Sequence, residues 1–186
     1  MIKAILFDMV GVLVFKKPGC VAKTQEEINA ENIEKLFNHL DDNKLIKDVK
    51  EKFKLSDSEI QNAATVIPEK YEKFEELWKL LPYLKKKYKL AVINNGNSIA
   101  SNYWKEKFNF EIFDLFINSA EEGIRKPDPR IFLITCKRLE VKPEECLFMD
   151  DSFDNIKVAQ KLGMKSIWWN KEENASFLLE KFTKIT

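Results

Sequence analysis

The chain has 186 residues, 45% of them hydrophobic, with 14 Phe and 4 Trp, which suits one domain or a core with a modest insertion. Its 31 basic and 30 acidic side chains leave a net charge of +1, so no global field favours nucleic acid or an anionic membrane. Cys20, Cys136 and Cys146 have no CxxC spacing, which argues against zinc or a disulfide framework and for reduced thiols. The first residues turn acidic too soon for a signal peptide, and no apolar run reaches membrane-spanning length. A cytoplasmic protein with no membrane or nucleic-acid partner is expected.

The chain opens with an apolar run, Ile2–Phe7, closed by Asp8 and followed by Val10 and Gly11-Val12-Leu13. An acid at the end of a buried strand is a costly placement unless it does chemistry. From Lys16 to Lys79 the texture is helical only. Thr24-x-x-Glu27 and Ser56-x-x-Glu59 are capping-box patterns. Ile33, Leu36, Phe37 and Leu40 keep helical spacing, and Ile46, Val49 and Phe53 form a shorter stripe. His39, the sole histidine, lies among them as a solvated or packed side chain. After Pro68, the residues Tyr71, Phe74, Leu77, Trp78 and Leu81 predict an apolar face on a helix near Glu69–Lys86.

Beyond that helix, short apolar runs alternate with helical patterns. Leu90–Asn94 leads into Asn94-Asn95-Gly96, Leu115–Ile117 follows, and Lys126 lies in a loop before Asp128, a helix cap with Pro129 at the first position. Ile131, Ile134 and Leu139 lie near one face of that helix. Leu147–Met149 runs into Asp150-Asp151, then a helix from about Ser152 to Leu162 stops at Gly163, with Ile156, Ala159 and Leu162 inward. Ser166–Trp169 is the last strand, with Trp168 and Trp169 as packing residues.

This alternation predicts an α/β fold, a doubly wound Rossmann-like parallel sheet with an inserted small helical unit. The expected division is 1–15 and 80–186 for the α/β core and 16–79 for the insertion. Ligands of open α/β sheets bind at the carboxyl ends of the strands. Asp8, Asn94-Asn95-Gly96, Asp150 and Asp151 fall at such ends, and Lys126 joins them from its loop. Carboxylates of this kind suit a divalent, oxygen-liganded cation, and the lysine and amides suit phosphate oxygens.

The stretch Ile5–Leu13 resembles the first motif of the haloacid dehalogenase-like (HAD) phosphohydrolases, Asp-x-Asp-Gly-x-Leu, with Val10 in place of the second aspartate. Asn94-Asn95-Gly96 is similar to the second motif, Lys126 within Arg-Lys-Pro-Asp-Pro to the third, and residues 147–155 to the fourth in its Asp-Asp-x-x-x-Asn form. The insertion falls where members of the C1 type carry a cap. The forms look most like the branch containing sugar-phosphate phosphatases and the N-terminal domains of soluble epoxide hydrolases. The resemblance implies Asp8 as nucleophile and Mg²⁺ held by Asp8, the Val10 backbone carbonyl, Asp150 and Asp151. It implies that Lys126 balances the acids and holds a phosphate oxygen, that Asn94, Asn95 and Gly96 hold others, and that Asn155 orients the fourth loop. The substrate would be a small phosphorylated molecule.

Val10 cannot carry the proton that the second aspartate carries in the family's usual mechanism, help typically worth roughly 10²–10⁴-fold. Asn94 is a second departure, an amide where most members have a hydroxyl. One reading is therefore a slow or specialised phosphatase, best on leaving groups that need little protonation, such as aryl or acyl phosphates. Another is a catalytically silent member that binds a phosphorylated ligand or a protein partner. A halide-releasing dehalogenase fits less well with Lys126 and Asp150-Asp151. A carbon–phosphorus hydrolase needs a cap lysine as Schiff base, and no lysine is singled out.

Overall fold

The first strand, β1 (Ala4–Phe7), is buried along its whole length, as a central strand covered on both faces must be. The computed structural model describes residues 1–36, 41–169 and 180; Phe37, His39 and Leu40 lie outside the described residues. After β1 the chain turns through Gly11, whose φ of +102° lies in a region side chains rarely adopt, into β2 (Val14–Lys16). Three helices follow: α1 (Gln25–Glu34), α2 (Asp42–Phe53) and α3 (Asp57–Val66). Both expected capping boxes are formed, Thr24 with Glu27 and Ser56 with Glu59. Leu36 falls just past α1, and the core side of α2 is formed by the buried Leu45 and Val49, while Ile46 and Phe53 are half-buried.

Tyr71 departs from the expected helix. A 3₁₀ turn at Pro68–Lys70 leads into β3 (Tyr71–Lys73), which pairs antiparallel with β2, Lys16 opposite Tyr71 and Val14 opposite Lys73. The region is thus not helical only, and the expected helix begins later, as α4 (Glu75–Lys85). Strand pairing overrides the local spacing here because Tyr71 finds its partner far upstream. This two-stranded ribbon is closed at both ends: beside the Val14–Lys73 pair the Phe74 amide donates to the Leu13 carbonyl at 3.0 Å, and beside the Lys16–Tyr71 pair the Lys17 amide donates to the Lys70 carbonyl at 2.8 Å.

The remaining elements are β4 (Lys89–Asn94), α5 (Ser101–Phe108), β5 (Leu115–Asn118), the short α6 (Ser119–Glu122), α7 (Pro129–Arg138), β6 (Cys146–Asp150), α8 (Phe153–Lys161) and β7 (Lys165–Trp168). Five strands form one parallel sheet in the order β5-β4-β1-β6-β7. The chain moves outward from β1 through β4 to β5, then returns to the other side of β1 as β6. The two hydrophobic clusters divide by strand alternation: Ile5 and Phe7 face one, Ala4 and Leu6 the other.

Asp128 caps α7 as expected, accepting from the Arg130 amide at 2.9 Å, but the buried face is Ile131, Phe132, Thr135 and Cys136, with Ile134 only half-buried. At α8 the cap position belongs to Ser152, and Ile156 and Ala159 are buried while Leu162 is half-buried. The Trp168–Trp169 pair splits. Trp169 is buried against Phe74, whereas Trp168 is 45% exposed, lies beside Phe153 and donates its indole N–H to the Asp151 carbonyl at 3.0 Å. Among the described residues no helix is long and apolar enough to cross a membrane.

Candidate active site

Register fixes the site. Phe7 lies beside Val92 on one flank and Met149 on the other, so Asp8, Asn94 and Asp150 emerge at the same edge of the sheet. There a cavity of about 490 Å³ is lined by Asp8, Val10, Asn94, Asn95, Gly96, Lys126, Asp150, Asp151 and Asn155. All the residues singled out in the sequence therefore border one crevice.

At its base the buried Lys126 ammonium donates to Asp8 Oδ1 at 2.6 Å and to Asp150 Oδ2 at 2.8 Å. The lysine is placed by Asn95, whose Nδ2 donates to the Lys126 carbonyl at 2.8 Å and whose Oδ1 accepts from the Lys126 amide at 2.8 Å. Both ends of this side-chain amide are thus engaged with the third loop. The Gly96 amide is also engaged, donating to Ser119 Oγ at 3.1 Å. Gly96 instead makes room: a Cβ there would collide with the Asn94 side-chain amide, at 3.3 Å from its Cγ.

Asp150 is fully buried and wrapped by donors. Asn155 Nδ2 donates to both its oxygens at 2.9 and 3.0 Å, and the Ser152 amide donates to Oδ1 at 2.8 Å. One carboxylate oxygen each from Asp8, Asp150 and Asp151 lie within 4.8 Å of one another. Three hard oxygen donors so close together are the donor set that Mg²⁺ or Ca²⁺ takes.

The electrostatics follow from burial and crowding. Burial pushes the Asp8 carboxyl up to about 7, the Lys126 charge opposes this, and the charges of Asp150 and Asp151 add to the rise. Burial works against the Lys126 ammonium, but the charges of Asp8 and Asp150 and their hydrogen bonds prevail and hold its pKa above the usual lysine value. Lys126 is therefore a fixed positive charge. Asp8 is the group whose charge depends on what else enters the crevice.

Val10 is 38% exposed and borders the cavity, so the position that lacks the expected acid is open to a bound molecule. Tyr71 of β3 and Trp104 of α5 form a further wall, their ring centroids 4.9 Å apart. Neither stands out in the sequence as a site residue: Tyr71 is concealed in a helical pattern, and Trp104 carries no motif. Two contacts hold this wall and the second loop to the inserted helices. Tyr71 donates to Glu34 Oε1 at 3.1 Å beside the buried Glu34–Lys70 ion pair, and the Ser98 amide donates to Asp42 at 3.2 Å.

The fold and this acid–lysine cluster define an α/β protein whose reactive groups lie at the carboxyl edge of a parallel sheet. The model of haloacid dehalogenase-like hydrolases matches residues 2–163, and the chain belongs to that family. It is similar to mouse (Mus musculus) acyl-CoA dehydrogenase family member 10, 31% identical over 96% of this chain and 19% of that protein. It is also similar to a glyceraldehyde 3-phosphate phosphatase of Pyrococcus furiosus, 34% identical over 54% of this chain and 43% of that one. The chain thus spans less than half the length of these curated relatives. A HAD family enzyme of Bacteroides thetaiotaomicron, solved with magnesium and inorganic phosphate, shares the fold with a TM-score of 0.72 at 24% identity, over 96% of this chain and 99% of that one.

Proposed function

We propose that the chain is a Mg²⁺-dependent phosphohydrolase acting on a small phosphorylated metabolite through an aspartyl phosphate on Asp8. The observation that carries this reading is the paired contact of Lys126 with Asp8 and Asp150, beside Asp151, at the open edge of the sheet. The phosphatase name of the Pyrococcus relative and the magnesium and phosphate held by the Bacteroides enzyme support it.

The donor set fits the cation: Asp8, Asp151 and the Val10 carbonyl would hold Mg²⁺, with Asp150 in support because its oxygens already accept from Lys126, Asn155 and Ser152. When bound, Mg²⁺ supplies positive charge that lets an anionic phosphoryl group approach an anionic carboxylate. An Asp8 oxygen bonds to phosphorus while the ester P–O bond breaks, and water later cleaves the aspartyl phosphate to regenerate the carboxylate. Lys126 and the Asn94 amide hold phosphoryl oxygens. Asn95 acts by fixing the Lys126 backbone, and Asn155 by fixing Asp150. In this reading residues 16–79 are the cap and 1–15 with 80–186 the core.

Val10 has no proton to give the departing oxygen. Turnover is then fastest where the leaving group is stable as an anion, as with aryl or acyl phosphates, and slow for alkyl esters. The same residue favours a second reading, a member that binds a phosphorylated ligand or protein without hydrolysing it. Phosphate release from an aryl phosphate separates the two. Mg²⁺-dependent release that Asp8→Asn abolishes is the expected result. A broad ester panel with no turnover above the Asp8→Asn background would leave only the binding reading.

A further inference from the structure

Two buried thiols take no part in this chemistry. Cys136 lies in the last turn of α7 and Cys146 opens β6, and their sulfurs are 3.7 Å apart. Both are free and almost wholly buried, yet the connection above them is not: residues 137, 138, 140, 142 and 144 are exposed. The Cys146 sulfur also reaches the Lys142 carbonyl of that connection, at 3.4 Å. A disulfide requires sulfurs about 2.05 Å apart, so closure needs a movement of under ~2 Å, within reach of side-chain rotation at the end of a helix.

We propose that Cys136 and Cys146 are a redox modification site, a dithiol that a small-molecule disulfide converts to an intramolecular Cys136–Cys146 disulfide. Geometry assigns the order of events: Cys136 keeps slight exposure, 3% against 0% for Cys146, and the Cys146 S–H is held by the Lys142 carbonyl, so Cys136 meets the small disulfide first. The Cys136 thiolate attacks one sulfur of the small disulfide, forming a mixed disulfide and expelling one small thiolate. Cys146 sulfur then attacks Cys136 sulfur, closing the protein disulfide and expelling the second small thiolate. The two protein S–H protons end on the two small thiols, so the protein is oxidised by two electrons and the co-reactant reduced by two. The pair lies at the amino end of β6, the end away from Asp150, so the crosslink ties α7 to β6 without entering the crevice.

The test is to treat the native full chain with oxidised glutathione, then denature, alkylate and weigh it. The expected product has lost about 2 Da across Cys136 and Cys146, is joined through the peptides carrying them, and recovers with dithiothreitol. In Cys146→Ser the expected product is one glutathione retained on Cys136. Wild-type protein in which Cys136 and Cys146 both remain open to alkylation, or a crosslink that includes Cys20, would overturn the site. Absence of the adduct from folded Cys146→Ser would overturn the assigned order of attack.

Discussion

Gly11 and the Asp151 carboxylate are packed so closely that a Cβ on Gly11 would lie 2.7 Å from Asp151 Cγ. The glycine of the first loop therefore sets where an acid of the fourth loop can stand. Gly11→Ala is expected to displace Asp151 and weaken Mg²⁺ binding, in addition to straining the backbone at φ +102°. Gly123→Ala separates the two effects, since Gly123 also has a positive φ, +66°, but a Cβ there would meet no atom within 4 Å. In a thermal-shift titration, Gly11→Ala should lose most of the stabilisation that Mg²⁺ gives the wild type, while Gly123→Ala keeps it. Equal Mg²⁺ responses in the two variants would dismiss the displacement.

Lys126 neutralises two buried acids 118 and 24 residues away in the chain. Removing it leaves Asp8 and Asp150 facing each other without a counter-charge, a loss of roughly 3–5 kcal/mol for a buried pair that loses one partner. Lys126→Met should therefore unfold at lower urea in the presence of EDTA. A divalent cation among the same carboxylates would restore part of that loss, so Mg²⁺ should stabilise Lys126→Met more than wild type. Urea melts with and without Mg²⁺ measure both, and a cation response no larger than wild type would argue against the shared-charge account.

The positions of Asp8, Asn94 and Asp150 are legible in the sequence because each ends a short apolar run, and a parallel sheet puts such ends together. The pairing of Lys16 with Tyr71 is not, because a three-residue strand leaves too short a pattern to outweigh helical spacing around it. Asn95 shows the same limit at the site. Its residue type announces an amide, but only the fold shows both ends of that amide on the Lys126 backbone, 31 residues away. Trp168 departs from the packing role expected of it because an edge strand exposes one of its faces, which composition does not reveal.

Glu34 and Lys70 form a nearly buried ion pair where the inserted helices meet the β2–β3 ribbon, their side chains 15% and 3% exposed. Glu34→Ala strands the Lys70 charge and also removes the acceptor of the Tyr71 hydroxyl. The expected cost is about 3–5 kcal/mol, read from urea unfolding. Adding Lys70→Met removes the stranded charge and should recover much of it. A double variant no more stable than Glu34→Ala would show that packing, not the unpaired charge, sets the loss.

Val10 stands where the motif that this stretch resembles carries its second aspartate, and its partial exposure makes the difference reversible by substitution. An aspartate at this position would remain in contact with solvent, so Val10→Asp should fold without the penalty of a buried acid. Phenols ionise near pH 10, as tyrosine does at about 10, whereas alkyl alcohols are far weaker acids and need the proton more. A restored donor should thus raise turnover of alkyl phosphates by roughly 10²–10⁴-fold and of aryl phosphates by much less. Comparing kcat for one alkyl and one aryl ester in wild type and Val10→Asp checks this directly. Similar gains on both would mean that the valine limits the reaction by occupying space beside the phosphoryl group rather than by withholding a proton.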